Sequence, residues 1–192
     1  MFKQAVLAVM IGGLVVSARA GTVSGKVSAP SGKSVVYVEA IQGKAPAPPE
    51  KPPVMDQHGL QFQPHVLVVP VGTTVEFLNG DKVAHNVFWP SISGNKKLGH
   101  NMGTWPTGEK RSFKFDTPGV VTLLCNVHPE MAGYIVVTPT QYFAETDTAG
   151  NYKLENLPDG QYTITAWHEG TKPQSKQVAL AGQGQADFAL SK

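Results

Sequence analysis

Three residues of types that bind soft metal ions lie within seven positions of one another: Cys125, His128 and Met131. A further imidazole, His85, precedes them in the chain. One thiolate, two imidazoles and a weak axial thioether form the ligand set of blue-copper sites, which transfer single electrons. The four residues therefore predict a copper site with one-electron redox chemistry.

Each of these residues also has a purely structural interpretation. A lone cysteine is usually a small buried hydrophobe, His85 alone could be a solvent-exposed loop residue, and Met131 could pack in a core. The spacing of Cys125, His128 and Met131 favours ligation over these alternatives. If Met131 only packs, the other three residues would still bind copper, with an altered potential.

Strands on both sides of the candidate ligands must position them. Apolar stretches at 62–79, 119–125 and 133–137 are bounded by turn residues, and no long helical periodicity follows the first twenty residues. With 20 glycines and 15 prolines, the composition suits short strands and turns, so we predict an all-β fold. A short loop between adjacent antiparallel strands would bring Cys125, His128 and Met131 around one point. His85 would arrive from a distant loop, so that the site closes only on folding.

The first twenty residues have the pattern of a secretory leader. Lys3 precedes an apolar run at 5–16, and Ala18, Arg19 and Ala20 form a small-x-small cleavage site. We therefore predict a signal peptide at 1–20 and a periplasmic protein, with no membrane span. An exported chain with one cysteine has no internal disulfide, and metal ligation would protect its thiol.

Charge argues against nucleic acid or an anionic membrane as partner. Of the 16 Lys and Arg residues, Lys3 and Arg19 leave with the leader, so 14 remain against 14 Asp and Glu. A neutral chain without a basic run is a poor ligand for polyanions. The oligomeric state is not indicated.

Composition divides the remainder into four segments. Two strands are expected in 21–42, a proline-rich linker in 43–53, the copper-ligand strands in 54–138, and a turn-rich block of short strands in 139–192.

The last segment resembles the carboxypeptidase regulatory-like, transthyretin-like β-sandwich. The matching residues are Thr146, Asp147, Gly150, Tyr152, Leu157, Pro158, Gly160 and Tyr162, and the opening 23–27 resembles that fold's first strand. The resemblance implies a small sandwich split by the copper domain, because a lone block of about 50 residues would be marginally stable. The alternative assigns 21–40 to the copper domain and makes the C-terminal block an independent appendage.

The segment 54–138 resembles the cupredoxins, and the Cys-x-x-His-x-x-Met spacing is that of the amicyanin branch rather than of plastocyanin. The resemblance implies a Greek-key β-sandwich with one type 1 copper ion, held by His85, Cys125, His128 and axial Met131. It further implies that Asn86 ties the two ligand loops together. His128 would lie in an apolar surface patch through which redox proteins dock transiently, and no enzyme activity is expected.

Weaker candidates and alternative functions stay open. The residues Met55, His58, His65, His100 and Met102 could form an accessory copper site, which would favour copper buffering or delivery over electron transfer. A structural or adhesive module is the third possibility. For Trp167, His168 and Glu169, an edge aromatic beside a solvated histidine is the favoured interpretation, and a contact with the copper domain is the alternative. Residues 146–150 are expected to form a simple turn.

Overall fold

The structure, a computed structural model, describes residues 20–41 and 46–192. The predicted leader, apart from Ala20, and the start of the proline-rich linker lie outside the described residues. The predicted all-β fold is confirmed, since the described chain forms seventeen strands and one short 3-10 helix at Lys96–Leu98. No helix in the described ranges is long and apolar enough to cross a membrane.

The strands in chain order are β1 (Ala20–Ser28), β2 (Val35–Val38), β3 (Val54–Gln57), β4 (Phe62–Gln63), β5 (Val66–Pro70), β6 (Thr73–Asn79), β7 (His85–Trp89), β8 (His100–Trp105), β9 (Lys110–Phe115), β10 (Gly119–Leu124), β11 (Ala132–Thr138), β12 (Phe143–Glu145), β13 (Asn151–Pro158), β14 (Gly160–Trp167), β15 (Gln174–Leu180), β16 (Gln183–Gln185) and β17 (Phe188–Ala189).

Strands β3 to β11 form a sandwich that we call the ligand sandwich, because it holds Cys125. Its two sheets have the strand orders β5-β11-β10-β7-β8 and β4-β3-β6-β9. In β6, buried and partly buried residues alternate, which directs Val75 and Phe77 into the space between the sheets. There they join one apolar core that also contains Trp89, Phe115 and Cys125.

The other eight strands form a second sandwich, the split sandwich, whose strands come from both ends of the chain. One sheet places β1 between β13 and β16, with β17 also paired to β1. The other places β2 between β12 and β14, with β15 at the edge. Val23, Val36 and Val38 from the N-terminal strands share one core with Leu154 and Ile164 from the C-terminal block.

A smaller apolar cluster joins the two sandwiches. Val136 of β11 packs with Val35 of β2 and Trp167 of β14, and the rings of Tyr134 and Trp167 lie 5.4 Å apart. The outer face of the sheet β5-β11-β10-β7-β8 is therefore covered at β11 by the split sandwich rather than by solvent.

Glu169 bridges the two sandwiches at the rim of this cluster. Its carboxylate accepts a hydrogen bond from the Tyr134 hydroxyl at 3.1 Å and lies 2.7 Å from His65 Nε2. Burial and the contact with Glu169 raise the pKa of Tyr134 to about 12, so its hydroxyl stays protonated as a donor.

The favoured interpretation of the segment at Trp167 is wrong. Trp167 is buried in the cluster between the sandwiches, and His168 is 3% exposed rather than solvated. The Nδ1 atom of His168 lies 3.1 Å from Ser34 Oγ, and also 3.1 Å from the Lys33 carbonyl oxygen. The alternative interpretation, that Trp167 to Glu169 contact the copper-ligand domain, is correct. Residues 146–150 form a turn, in which Asp147 Oδ1 accepts from the backbone N–H of Ala149 at 2.9 Å.

Removing the charge of Glu169 is expected to change how stability depends on pH. Burial alone would raise the pKa of Glu169, but the hydrogen bonds from His65 and Tyr134 outweigh it and hold the pKa below its ordinary value of 4.5. A lowered carboxyl pKa stabilises the fold fully above that value, and this contribution disappears as pH falls through the folded-state pKa. Because the side chain is 41% exposed, Glu169→Gln should lose less than about 1 kcal/mol at neutral pH.

The measurement is the free energy of unfolding of the parent and Glu169→Gln between neutral pH and pH values below 4.5. The difference between the two proteins should shrink as the solution is acidified. Glu155→Gln is the matched control, because Glu155 is exposed and reaches only Lys153, at 3.8 Å. A difference for Glu169→Gln that does not vary with pH would contradict the bridging role.

Candidate metal centre

The loop that carries three of the predicted ligands joins two adjacent antiparallel strands. Strands β10 and β11 pair with Leu124 opposite Ala132, and residues 125–131 connect them. Within this loop the Met131 backbone N–H donates to the His128 carbonyl at 3.0 Å, which closes a tight turn. The short loop thus places Cys125 and Met131 in the core, 3% and 1% exposed, and leaves His128 partly exposed.

His85 comes from the neighbouring strand of the same sheet. It is the first residue of β7 and is 0% exposed, so the expectation that it lies in a loop is wrong. Its Nε2 lies 2.9 Å from Asp81 Oδ2. Because an ionised carboxylate only accepts hydrogen bonds, Nε2 donates to it, and Nδ1 is the ring nitrogen that faces Cys125 and His128.

Asp81 is itself fixed as an anion. The backbone N–H groups of Gly59 and Leu60, in the turn between β3 and β4, donate to its carboxylate at 2.8 and 2.9 Å. Burial alone would raise the pKa of Asp81, but these hydrogen bonds and the one from His85 lower it to about 2. A carboxylate that orients the ring of a metal-binding histidine is the usual outer partner of such ligands.

The three donor atoms form a compact triangle. Cys125 Sγ lies 3.9 Å from Nδ1 of His85 and 3.9 Å from Nδ1 of His128, and the two Nδ1 atoms are 3.0 Å apart. A point equidistant from the three atoms lies about 2 Å from each of them, close to the length of metal–imidazole bonds. Such close donors repel one another unless a proton or a cation lies between them. The donor set therefore fits one soft cation, and it is the one group of at least three potential metal-binding His, Cys, Asp or Glu residues found in 20–41 and 46–192.

Asn86 links the two segments that bear the ligands. Its backbone N–H donates to Cys125 Sγ at 3.4 Å, and its side-chain Oδ1 accepts from the Asn126 backbone N–H at 3.3 Å. Asn86 therefore contacts both the sulfur and the residue that follows it. A hydrogen bond to the sulfur is one of the features that set the redox potential of a thiolate site.

The five residues considered for an accessory site do not lie together. Met55 and Met102 are buried in the core of the ligand sandwich. His65 pairs with Glu169, the His100 ring lies 5.3 Å from the Trp89 ring at a tilt of 42°, and His58 is exposed. Packing and ion pairing account for four of the five side chains, so an accessory copper site is not supported.

Two residues of the centre were not assigned a role from the sequence. Asp81 lies four positions before His85, and a carboxylate near a candidate ligand histidine could have indicated it. Asn101 donates nothing to the ligands directly, but its Oδ1 accepts from Asn86 Nδ2 at 2.9 Å. It comes from β8, and its spacing from Asn86 in the sequence does not indicate a contact.

Two family models match the chain. The model of copper-binding proteins of the plastocyanin/azurin family matches residues 52–138, and that of the carboxypeptidase regulatory-like domain matches residues 132–191. The second match begins at β11, a strand that lies in the ligand sandwich.

Individual proteins resemble the first of these regions. A plastocyanin from Scenedesmus fuscus is 31% identical over an alignment of 78 residues, with coverage of 38% of this chain and 80% of that protein. A purple cupredoxin from Nitrosopumilus maritimus is 26% identical, with a TM-score of 0.40, over 45% of this chain and 99% of that one. A reduced amicyanin variant is 25% identical, with a TM-score of 0.42, over 46% of this chain and 84% of that one.

Proposed function

The chain belongs to the plastocyanin/azurin family of copper-binding proteins, and on this premise we propose that it carries single electrons between redox partners in the periplasm. Bound copper supplies the one-electron couple between Cu(II) and Cu(I). The observation that carries the proposal is the triangle of Cys125 Sγ and the two histidine Nδ1 atoms, with sides of 3.9, 3.9 and 3.0 Å.

The residues have distinct roles in this proposal. Cys125 would provide the thiolate, His85 and His128 would provide Nδ1 donors, and Met131, buried in the same core as Cys125, would provide a thioether. Because Asp81 and Asn86 hold His85 and Cys125 by hydrogen bonds, the donors keep their positions when the charge at the centre changes. A site that does not rearrange favours rapid electron transfer over metal exchange. Buffering or delivery needs a more exchangeable site, and the separated accessory residues give it no support.

The surface around His128 suits transient docking of redox proteins. Leu60, Val83 and Val127 are 43%, 46% and 47% exposed, and they are three of the four large apolar side chains found exposed in the described ranges. Val127 precedes His128, Val83 lies two residues before His85, and Leu60 donates its backbone N–H to Asp81. Exposed apolar side chains close to a redox site suit a contact surface. An electron would leave through the partly exposed His128 ring.

Bond-making chemistry has little support in the residues. The chain has one cysteine, whereas a dinuclear thiolate-bridged centre needs two. We therefore propose that the protein is an electron carrier and not an enzyme.

We propose that the ligand sandwich, 54–138, is inserted into a transthyretin-like sandwich made of 21–42 and 139–192, with 43–53 as linker. The pairing of β1 with β13 and of β2 with β12 and β14 supports this division. The split sandwich would act as a spacer that sets how the ligand sandwich approaches a partner. The predicted leader at 1–20 supports periplasmic location.

The test uses the chain without its leader, 21–192, loaded with one equivalent of Cu(II). Its visible absorption is recorded through a cycle of ascorbate reduction and ferricyanide oxidation. We expect an intense thiolate-to-copper band that bleaches and returns. A pale, chelator-labile protein would instead favour copper handling, and a protein that binds no copper would overturn the proposal.

Replacing Met131 should change the potential without loss of copper. Met131→Gln introduces a harder oxygen donor, which favours Cu(II) over Cu(I), so the midpoint potential should fall. Met131→Leu is the matched control, because it removes the thioether without adding a donor and should shift the potential the other way. Redox titration of both variants measures the effect, and unchanged potentials in both would remove Met131 from the site.

A further inference from the structure

Strand β8 contains a bulge directly beside the strand that begins with His85. Asn86 pairs with Thr104 and Phe88 pairs with Asn101, so the register shifts between these two pairs. The extra residue lies on β8, where Gly103 has a φ of +81° that side chains other than glycine rarely adopt. A bulge of this kind redirects the side chains next to it.

The bulge directs Asn101 at Asn86. The Oδ1 atom of Asn101 accepts two hydrogen bonds, from the Gly103 backbone N–H at 2.8 Å and from Asn86 Nδ2 at 2.9 Å. Because the Asn86 amide nitrogen is held by Asn101, its amide oxygen must face the other way. There it accepts from the Asn126 N–H, in the ligand loop.

Arg111 fixes the bulge from the opposite sheet. Its guanidinium donates to the carbonyls of Met102 and Thr104, the latter at 3.1 Å, and lies 4.9 Å from the centre of the Trp105 ring. A Cβ added at Gly103 would lie 2.7 Å from Arg111 Nη1, so the glycine also makes room for this contact. The position of Asn101 is therefore set by both sheets of the ligand sandwich.

We infer that Asn101 is a positioning residue that acts through Asn86 on Cys125. It sets the orientation of the Asn86 amide, which holds the backbone of Asn126 and keeps the Asn86 N–H directed at the cysteine sulfur. The inference rests on the proposed function in one respect only, since its effect on potential requires bound copper. Its effect on the loop does not.

The first test is made on the copper-free chain by NMR measurement of solvent exchange at the Asn126 amide. Asn101→Ala removes the acceptor for Asn86, and weakening of one hydrogen bond should speed this exchange by about fivefold. Asn101→Asp keeps an oxygen acceptor in place and should restore exchange close to the parent rate. Thr104→Ala is the matched control, because Thr104 is exposed on the same strand and is the backbone partner of Asn86.

The second test is made on the copper-loaded variants. In Asn101→Ala the N–H directed at sulfur is held less firmly, so the thiolate is less stabilised in the more electron-rich reduced state and the midpoint potential should fall. The visible band should shift in Asn101→Ala and remain at its parent position in Thr104→Ala. Because the side chain of Asn101 is exposed, its removal does not disturb the core, and a change in core packing would not explain such a shift.

The outcomes separate the inference from the proposed function. Unchanged exchange at Asn126 in Asn101→Ala overturns the positioning role, whatever copper does. Faster exchange with an unchanged band and potential also overturns it, because the loop would then not act on the sulfur. A parent protein without any visible band overturns the electron-transfer proposal, and the exchange measurement still decides how Asn101 acts on the loop.

Discussion

The Cys125→Ser variant is expected to lose the intense visible band of the copper-loaded protein completely. The band requires a thiolate bound to copper, and a serine hydroxyl is neither ionised at neutral pH nor a soft donor. The two Nδ1 donors of His85 and His128 remain, 3.0 Å apart, so weak and pale copper binding should persist. The fold should stay close to its parent stability, because serine nearly matches cysteine in size and its oxygen can accept the Asn86 N–H that now points at sulfur.

The measurement is the visible absorption of parent and variant at one equivalent of Cu(II), with thermal unfolding of the copper-free proteins as the check on folding. Asn126→Ser is the matched control, because it introduces a serine at the next position of the loop, which is exposed. This change leaves the sulfur and every backbone hydrogen bond in place. It should keep the band. An intense band retained in folded Cys125→Ser would refute the assignment of the thiolate.

Most of the candidate ligand set could be predicted from the sequence because it is local. Cys125, His128 and Met131 lie on one short loop between neighbouring strands, so their proximity needs no knowledge of the whole fold. His85 could be added because an apolar strand and a turn precede it, although it begins a strand rather than ending a loop. The all-β class followed from turn residues at short intervals.

The supports of the site could not be predicted in the same way. Asn101 reaches Asn86 because β8 bulges at Gly103. The bulge is held by hydrogen bonds from the guanidinium of Arg111, which lies in the other sheet. Neither the bulge nor its partner is encoded in local spacing. The same holds for Asp81, whose carboxylate is fixed by a turn about twenty residues earlier in the chain.

The error at Trp167 has a related cause. A strand that ends in an aromatic residue and a histidine commonly lies at an exposed edge, but here two sheets pack with their outer faces together. The last four residues of β11 are all buried, which occurs when both faces of a strand are covered. The unbroken apolar run at 135–137 could have indicated a second layer over this sheet, although not which segment forms it.

A charge placed at Val36 is expected to unfold the split sandwich while the ligand sandwich stays folded. Val36 is 0% exposed, lies between Ala144 of β12 and Ala166 of β14, and belongs to the core of the split sandwich. In Val36→Asp the carboxylate would be buried with no partner, at a cost that reaches about 4–5 kcal/mol. That is comparable to the whole stability of a small domain, whereas the core of the ligand sandwich contains no residue of β2.

Hydrogen exchange in the full-length chain distinguishes the two sandwiches, because amides of Gly160–Trp167 report on the split sandwich and those of Gly119–Leu124 on the ligand sandwich. In Val36→Asp the first set should exchange freely while the second set stays protected and the visible band persists. Val54→Asp is the matched control, since Val54 is 43% exposed and the same change there should cost no more than about 0.5 kcal/mol. Loss of protection at Gly119–Leu124 with Gly160–Trp167 unaffected would instead assign the N-terminal strands to the ligand sandwich. The C-terminal block would then be an independent appendage, because a core that does not include β2 is not disturbed by a charge placed in β2.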